Sequence, residues 1–570
     1  MADHTDNISY SQFACIGSGF SAIGLGAQLK RWYGITDIRF FERDSELGGT
    51  WFSNQYPGCA CDVPTTLYSF SFEQNPKWTH VLPSRQELWD YLKAVADKYD
   101  LPQKMTFNTT VERCEWIEKT ARWRLHINRK EDQQTQIHEC QFLFSATGYF
   151  GKPRGLDNIP GVDTFQGPVL HSSRWDPAVD LTDKRVVVFG NGCTGTQMVP
   201  AILRAKAKHV THVVRSRHWI MPADFSKPIS PLMRTILTYL PGMGALRRLL
   251  IFCFAENDFR AFAMDEAGAR YRQRLRARSE TYMRSTAPAK YHDMLIPEFE
   301  VGCKRRIFDS SGYLASLHAP NLTLTDEEVV EVLPQGLRMR SDTIVDADVI
   351  ALASGFKTEE FFGDIDVVGR GGETLQQHWD RFGGPEAYNC CAMNGFPNFF
   401  MLLGPNTAQG HTSVLMAVEN AINYALRILK PVLARSSSQI AEVKRSAEEA
   451  YVDRIQAELQ KTVYFSGCHS WYLMDNRVKG KSKWNGLSYP YSQVRFWYHC
   501  LFPVWKDWEF RGEKMKQRSI VKRKNGLLVA TGAIVGAGVC LLLLDNNKMG
   551  FGVGFQTKIA GFLKGLIHSS

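Results

Sequence analysis

Two glycine-rich stretches hold the first residues able to do chemistry. In QFACIGSGFSA (12–22) the spacing is Gly17-x-Gly19-x-x-Ala22, and in RVVVFGNGCTG (185–195) it is Gly190-x-Gly192-x-x-Gly195. The first glycine permits a tight turn and the second lets the backbone approach a pyrophosphate. The small third residue lets the following helix pack on its strand. That helix turns free N–H groups and a positive dipole end toward the phosphate. What stands 25 residues later differs: Glu42 after Gly17, Arg215 after Gly190. A carboxylate accepts hydrogen bonds from ribose hydroxyls and repels a 2′-phosphate; a guanidinium pairs with that phosphate bidentately. The first turn therefore suits FAD and the second NADPH, with Lys304 a second cation if the fold brings it near. Two turns that bind nothing would not need opposite charges at equal spacing.

A third stretch, GGTWFSNQYPGCACD (48–62), adds what a flavin ring needs. Gly48 and Gly49 allow close backbone approach, Trp51 offers a flat face, and Asp62 is a carboxylate within the same loop. A Gly/Pro-rich loop around a core tryptophan is the plain alternative.

The elements that must position these residues are legible as apolar runs. Each glycine turn follows a short apolar strand and precedes a second one, IRFFE (38–42) and HVTHVVR (209–215). Strand, turn, helix and strand, twice over, predict an α/β protein with two Rossmann-like dinucleotide-binding domains. Between the two units lie a helical stretch (84–99), alternating strand-like runs near 107–128, and an apolar strand ending at a glycine (140–150). Residues 222–298 turn helical and basic and are expected to form an insert. DADVIALASGF (346–356) repeats the strand-to-glycine form, and 411–433 is an amphipathic helix followed by a Ser-rich break at 434–438.

Composition narrows the function classes. The chain has 570 residues, 44% of them hydrophobic and 22% charged, so two to four domains with sizeable cores are possible. The net charge of +10 is small for that length, and no recognition motif accompanies it, which argues against nucleic acid. The 13 cysteines contain no CxxC pair, so a disulfide-reductase reading fails. Their odd count and irregular spacing, with no signal peptide at the N-terminus, point to reduced thiols in a cytosolic setting. No metal site is expected.

The far end is different. RGEKMKQRSIVKRK (511–524) is strongly basic, and the 18 residues 527–544 that follow carry no charge. As a helix they would measure about 27 Å, close to a thin bilayer core. The basic run before them predicts a membrane-anchor helix with the catalytic body in the cytosol, on the endoplasmic reticulum for instance. A buried helix and a shallow or hairpin insertion are the other readings.

FQGPVLHSSRWD (165–176) lies between the two glycine turns and matches FxGxxxHxxxW(D/P) through Phe165, Gly167, His171, Trp175 and Asp176. Together with GGTWxxxxYPGxxxD and ASGF (353–356), this pattern resembles the Baeyer–Villiger monooxygenases, class B flavoproteins using FAD and NADPH. The resemblance runs from about residue 10 to about residue 500 and leaves out the tail. It implies a first part of the FAD domain over 1–150 and an NADPH domain over 151–355 carrying the insert. The second part of the FAD domain then spans 356–510, and the tail 511–570. Around FAD it implies Gly17, Gly19, Phe20, Ser21, Glu42, Gly49, Thr50, Trp51, Cys61, Asp62, Tyr68 and Val111. Around NADPH it implies Gly190, Asn191, Gly192, Thr194, Gly195, Thr196, Arg215, Ser216, Lys304 and Trp471. In VGCKRRIFD (301–309) it puts the catalytic arginine at Arg305, next to Arg306, with Asp62 to hold it. His171 belongs to a domain hinge rather than to proton transfer. The implied reaction inserts one oxygen of O₂ into a lipophilic ketone to give an ester or lactone, in secondary-metabolite biosynthesis. Hydroxylation or N- or S-oxygenation by a flavoprotein of the same superfamily, and a membrane-bound scaffold without activity, are the competing readings.

Overall fold

The computed structural model describes residues 8–130, 135–434, 440–478 and 480–511. The expected anchor at 527–544 and most of the Ser-rich break lie outside them. Two sheets organise the rest. In the larger one the strands run in the order Asp366–Val368, Thr109–Ile117, Arg122–Arg129, Thr135–Ser145, Ile8–Ile16, Ile38–Phe41, Met105–Thr106; Phe399–Met401 pairs with the Thr135–Ser145 strand as well. Ile8–Ile16 is its centre, parallel to Ile38–Phe41 (Phe13 beside Ile38) and to Thr135–Ser145 (Phe13 beside Phe142). This strand is apolar on both faces over Phe13–Ile16, the pattern a fully covered parallel strand requires. The helix Phe20–Tyr33 covers it and packs in turn against Val414–Leu433. The sheet thus draws strands from both sides of the second one.

The second sheet is all parallel, in the order Leu322–Thr325, His209–Val213, Arg185–Phe189, Val349–Leu352, Val169–His171. Its order reverses direction beside Arg185–Phe189, the strand that feeds the second glycine turn. A crevice at such a switch point is where open α/β sheets take their ligands. A small antiparallel sheet, Val329–Leu333, Gly336–Met339 and Ile344–Asp346, adjoins it and has no counterpart in the sequence reading. The helical region is built from Pro231–Tyr239, Met243–Asn257, Glu266–Thr286 and His292–Leu295.

The thiol expectation needs correction. Cys303 and Cys468 form a disulfide across 165 residues of sequence. The loops that carry them converge over the site, a meeting no local spacing announces.

Candidate active site

One cavity of about 2770 Å³ lies between the two sheets and the helical region. Its wall gathers Thr50, Trp51, Cys61 and Asp62 from the flavin-type loop, and Tyr68 after it. It also gathers Gly190, Asn191, Gly192, Thr194, Arg215 and Ser216 from the second nucleotide unit, and Lys304, Arg305 and Trp471. Residues assigned to two different ligands therefore face one space. Gly17, Gly19, Phe20, Ser21, Glu42, Gly49, Val111, Gly195 and Thr196 stand outside that wall. Val111 in particular is a buried strand residue.

Both glycine turns have the geometry a phosphate needs. Gly17 sits at φ +104° and Gly190 at φ +95°, where a side chain is strained. A methyl group on Gly190 would come within 2.5 Å of the Ala353 carbonyl, and one on Gly195 within 2.0 Å of the Gly190 carbonyl. On Gly192 it would meet nothing within 4 Å, so this backbone faces free space in the cavity wall. The helices Phe20–Tyr33 and Cys193–Arg204 start at Gly19 and Gly192 with no side-chain cap, leaving their first N–H groups to a ligand. The residues present fit two dinucleotides.

Several supporting contacts, among them those of Ser18, His212 and Gln197, escaped the sequence reading. Glu42 accepts from Ser18 N at 2.8 Å, Ser18 Oγ at 2.7 Å and Asp44 N at 3.0 Å, so it braces the first turn as well as ending its strand. Burial pushes its pKa up, against those hydrogen bonds. His212 is fully buried and lies 3.0 Å from the Gly190 carbonyl; burial holds its pKa down to about 4, so it is neutral there. Gln197 clamps the flavin-type loop to the second helix, accepting from Tyr56 OH at 2.7 Å and donating to Ala60 O at 3.0 Å.

Arg305 Nη2 donates to Asp62 Oδ2 at 2.6 Å, joining residues 243 apart in sequence. The Asp62 carboxylate holds the guanidinium charged against the opposing effect of burial. Arg306 turns the other way, to Asp258 at 3.0 Å, so of the two arginines only Arg305 engages Asp62. Burial, and then Arg215, lower the pKa of Lys304, and both cations line the cavity. Trp471 stacks on Tyr472 with centroids 4.5 Å apart, and the disulfide ties its loop to the one carrying Arg305.

The 165–176 stretch is a brace. His171 ends the edge strand Val169–His171, opposite Leu352. Its Nε2 lies 3.1 Å from the Gly355 carbonyl, its Nδ1 accepts from Ser173 N at 3.2 Å, and its ring meets Phe356 edge-on. Burial lowers its pKa. Gly167 lies against Asp348 O, where a methyl would stand 2.2 Å away, and Trp175 is buried. Asp176 caps its own turn through Ala178 N at 2.9 Å. None of Phe165, Gly167, His171, Trp175 and Asp176 lines the cavity.

Residues 36–240 match the family described as flavin-binding monooxygenase-like. The chain is 34% identical over 489 residues to a Baeyer–Villiger monooxygenase of Streptomyces coelicolor, covering 86% of this chain and 91% of that protein. The chain belongs to the Baeyer–Villiger monooxygenase family. Another relative, the FAD-binding monooxygenase ktnD of Aspergillus niger, is 32% identical over 508 residues, covering 87% of this chain and 81% of that protein. Among solved structures, cyclohexanone monooxygenase from Rhodococcus sp. Phi1 bound to NADP⁺ shares the fold with a TM-score of 0.77 at 23% identity. That match covers 89% of this chain and all of the other. As a family member the chain is a flavoprotein monooxygenase.

Proposed function

We propose that this monooxygenase converts a lipophilic ketone to an ester or lactone, with FAD on the first glycine turn and NADPH on the second. The observation that carries the reading is the Asp62–Arg305 pair, set in the wall of a cavity shared by both units. When bound, the two cofactors supply the reducing equivalents and the ring at which O₂ reacts. The chain's own residues do the rest. Backbone N–H groups at Gly19 and Gly192 hold pyrophosphates. Arg215 and Lys304 hold the 2′-phosphate, which selects NADPH over NADH. Arg305 keeps a fixed positive charge where negative charge grows on oxygen during carbonyl attack. Such a preorganised donor is worth roughly 10²–10³ in rate. Asp62 keeps that guanidinium from swinging. The covering loop with Trp471 excludes water from the reacting groups.

The test is product analysis of Arg305→Ala with a ketone panel. The variant should still oxidise NADPH and bleach its flavin while yielding no ester; a normal ester yield refutes the assignment. A sulfide or amine oxide as the main wild-type product would turn the reading to heteroatom oxygenation. The apolar cavity wall and fungal relatives such as ktnD support a place in secondary-metabolite biosynthesis. We also place the body on the cytosolic face of a membrane, anchored by 527–544, because a basic run precedes that charge-free segment.

A further inference from the structure

The helices Pro231–Tyr239 and Met243–Asn257 are built inside out. On the second, Arg248 points inward and donates to Thr66 O at 2.7 Å and Ser69 O at 2.9 Å, and it pairs with Glu419. Glu256 is also buried, bonded to His411 at 2.9 Å and to Val494 N at 3.0 Å. Opposite them, Met243, Leu246, Leu250 and Phe254 follow helical spacing along the other face, where Phe254 is 67% exposed. On the first helix Leu232 and Tyr239, seven residues apart, are 66% and 80% exposed, and Leu240 follows them outward. Polar groups in and apolar groups out reverse the order of a water-facing helix, and a contiguous patch of this kind marks an interaction surface.

We propose that this helix pair seats on the surface of a lipid bilayer, with the cavity mouth opening at the lipid face. Four observations favour lipid over another protein. Residues 225–255 contain no Asp or Glu, and beside the inward-turned Arg248 they carry Lys227, Arg234 and Arg247, which suits an anionic lipid surface. Taken through to Phe262, the pair has the length and apolar composition of a membrane span but bends by 114° between its helices. The first helix, with 9 residues, rises about 14 Å and cannot cross a core of about 30 Å, so the pair lies in the interface plane. Finally, Met243, Leu246, Leu250 and Phe254 also line the cavity, so the outward face is continuous with its interior. A lipophilic ketone dissolved in the membrane would enter there without crossing water; that clause alone rests on the substrate proposed above. The docking itself is independent of the C-terminal segment.

The test is amide hydrogen exchange on the full holoenzyme, alone and with mixed phosphatidylcholine–phosphatidylserine vesicles, alongside flotation of the same samples. Exchange over 231–254 should slow about tenfold or more with vesicles. The double variant Leu232→Glu/Leu240→Glu, at two residues outside the cavity wall, should lose that protection while keeping its flavin absorbance. Flotation without slowed exchange overturns the docking and leaves the C-terminal anchor standing. Neither flotation nor slowed exchange overturns both. Slowed exchange without vesicles, whether from a second copy or from residues 527–544 folding back, also overturns it.

Discussion

Asp62→Ala isolates what the ion pair at the cavity wall does. The contact is 2.6 Å, with Asp62 19% and Arg305 41% accessible. A fully exposed pair is worth about 0–1 kcal/mol, and breaking a buried one costs about 3–5. Partial access discounts the upper figure, and a value of about 2 kcal/mol follows, roughly 30-fold in rate at 1.36 kcal/mol per decade. The loss should fall on ester formation, because the guanidinium matters when charge develops on oxygen. NADPH oxidation without ketone should change less than about threefold, since Arg215 and Lys304 are untouched. The assay is parallel: NADPH consumption by absorbance, ester by mass analysis, and hydrogen peroxide as the uncoupled product. Asp62→Glu, which keeps the charge, should recover part of the yield. An Asp62→Ala enzyme whose ester yield per NADPH matches wild type would refute the reasoning.

Arg215→Ala should raise the KM for NADPH about 10- to 100-fold and leave the KM for NADH little changed, as one charge-assisted phosphate contact would predict; equal losses with both coenzymes would count against it. Alkaline pH should destabilise the region around His378, whose Nε2 lies 3.0 Å from Glu386 and 3.1 Å from Glu448, all three buried. Burial alone would lower the His378 pKa, but bonds to Glu386 and Glu448 reverse this and carry it to about 9; burial, then the Glu448 charge, raises Glu386. Both folded-state values are raised. The stability they confer is therefore complete below the unfolded values of 6.5 and 4.5 and is lost as pH rises through the folded ones. The Tm should fall between neutral pH and pH about 9, and Glu386→Gln should flatten that slope in a calorimetric series. Cys468→Ser should speed proteolytic cleavage within 463–478 severalfold while leaving cleavage elsewhere unchanged; a uniform increase would mean global rather than local loosening.

Much of the site was legible because its signals are local. Gly17 and Gly190 carry their turn geometry in two or three neighbours, and the opposite charges of Glu42 and Arg215 stand at a fixed distance along one strand–helix–strand unit. Asp62 stood out in its own loop and Arg305 through the family resemblance, but only folding brings them together across 243 residues. The partners that aim them were not legible. Gln197 bridging to Ala60, His212 under Gly190 and Arg306 drawn off to Asp258 depend on which helix lies over which loop. The antiparallel strands between 329 and 346 were missed because they are only five, four and three residues long, too short for a clear period. The inverted helix pair also went unseen, since an apolar stretch reads alike whether it faces a core or the outside. His171, expected at a hinge rather than in proton transfer, bonds the loop at Gly355 from the end of an edge strand, a partner no local spacing announces.

The bridge between Cys303 and Cys468 has a mechanical consequence. With the two loops pinned two and three residues from Arg305 and Trp471, the indole cannot lift far without dragging the guanidinium along. Lifting the indole and moving the positive charge become a single stroke. Cut the pin with a thiol reductant, and each arm would swing on its own.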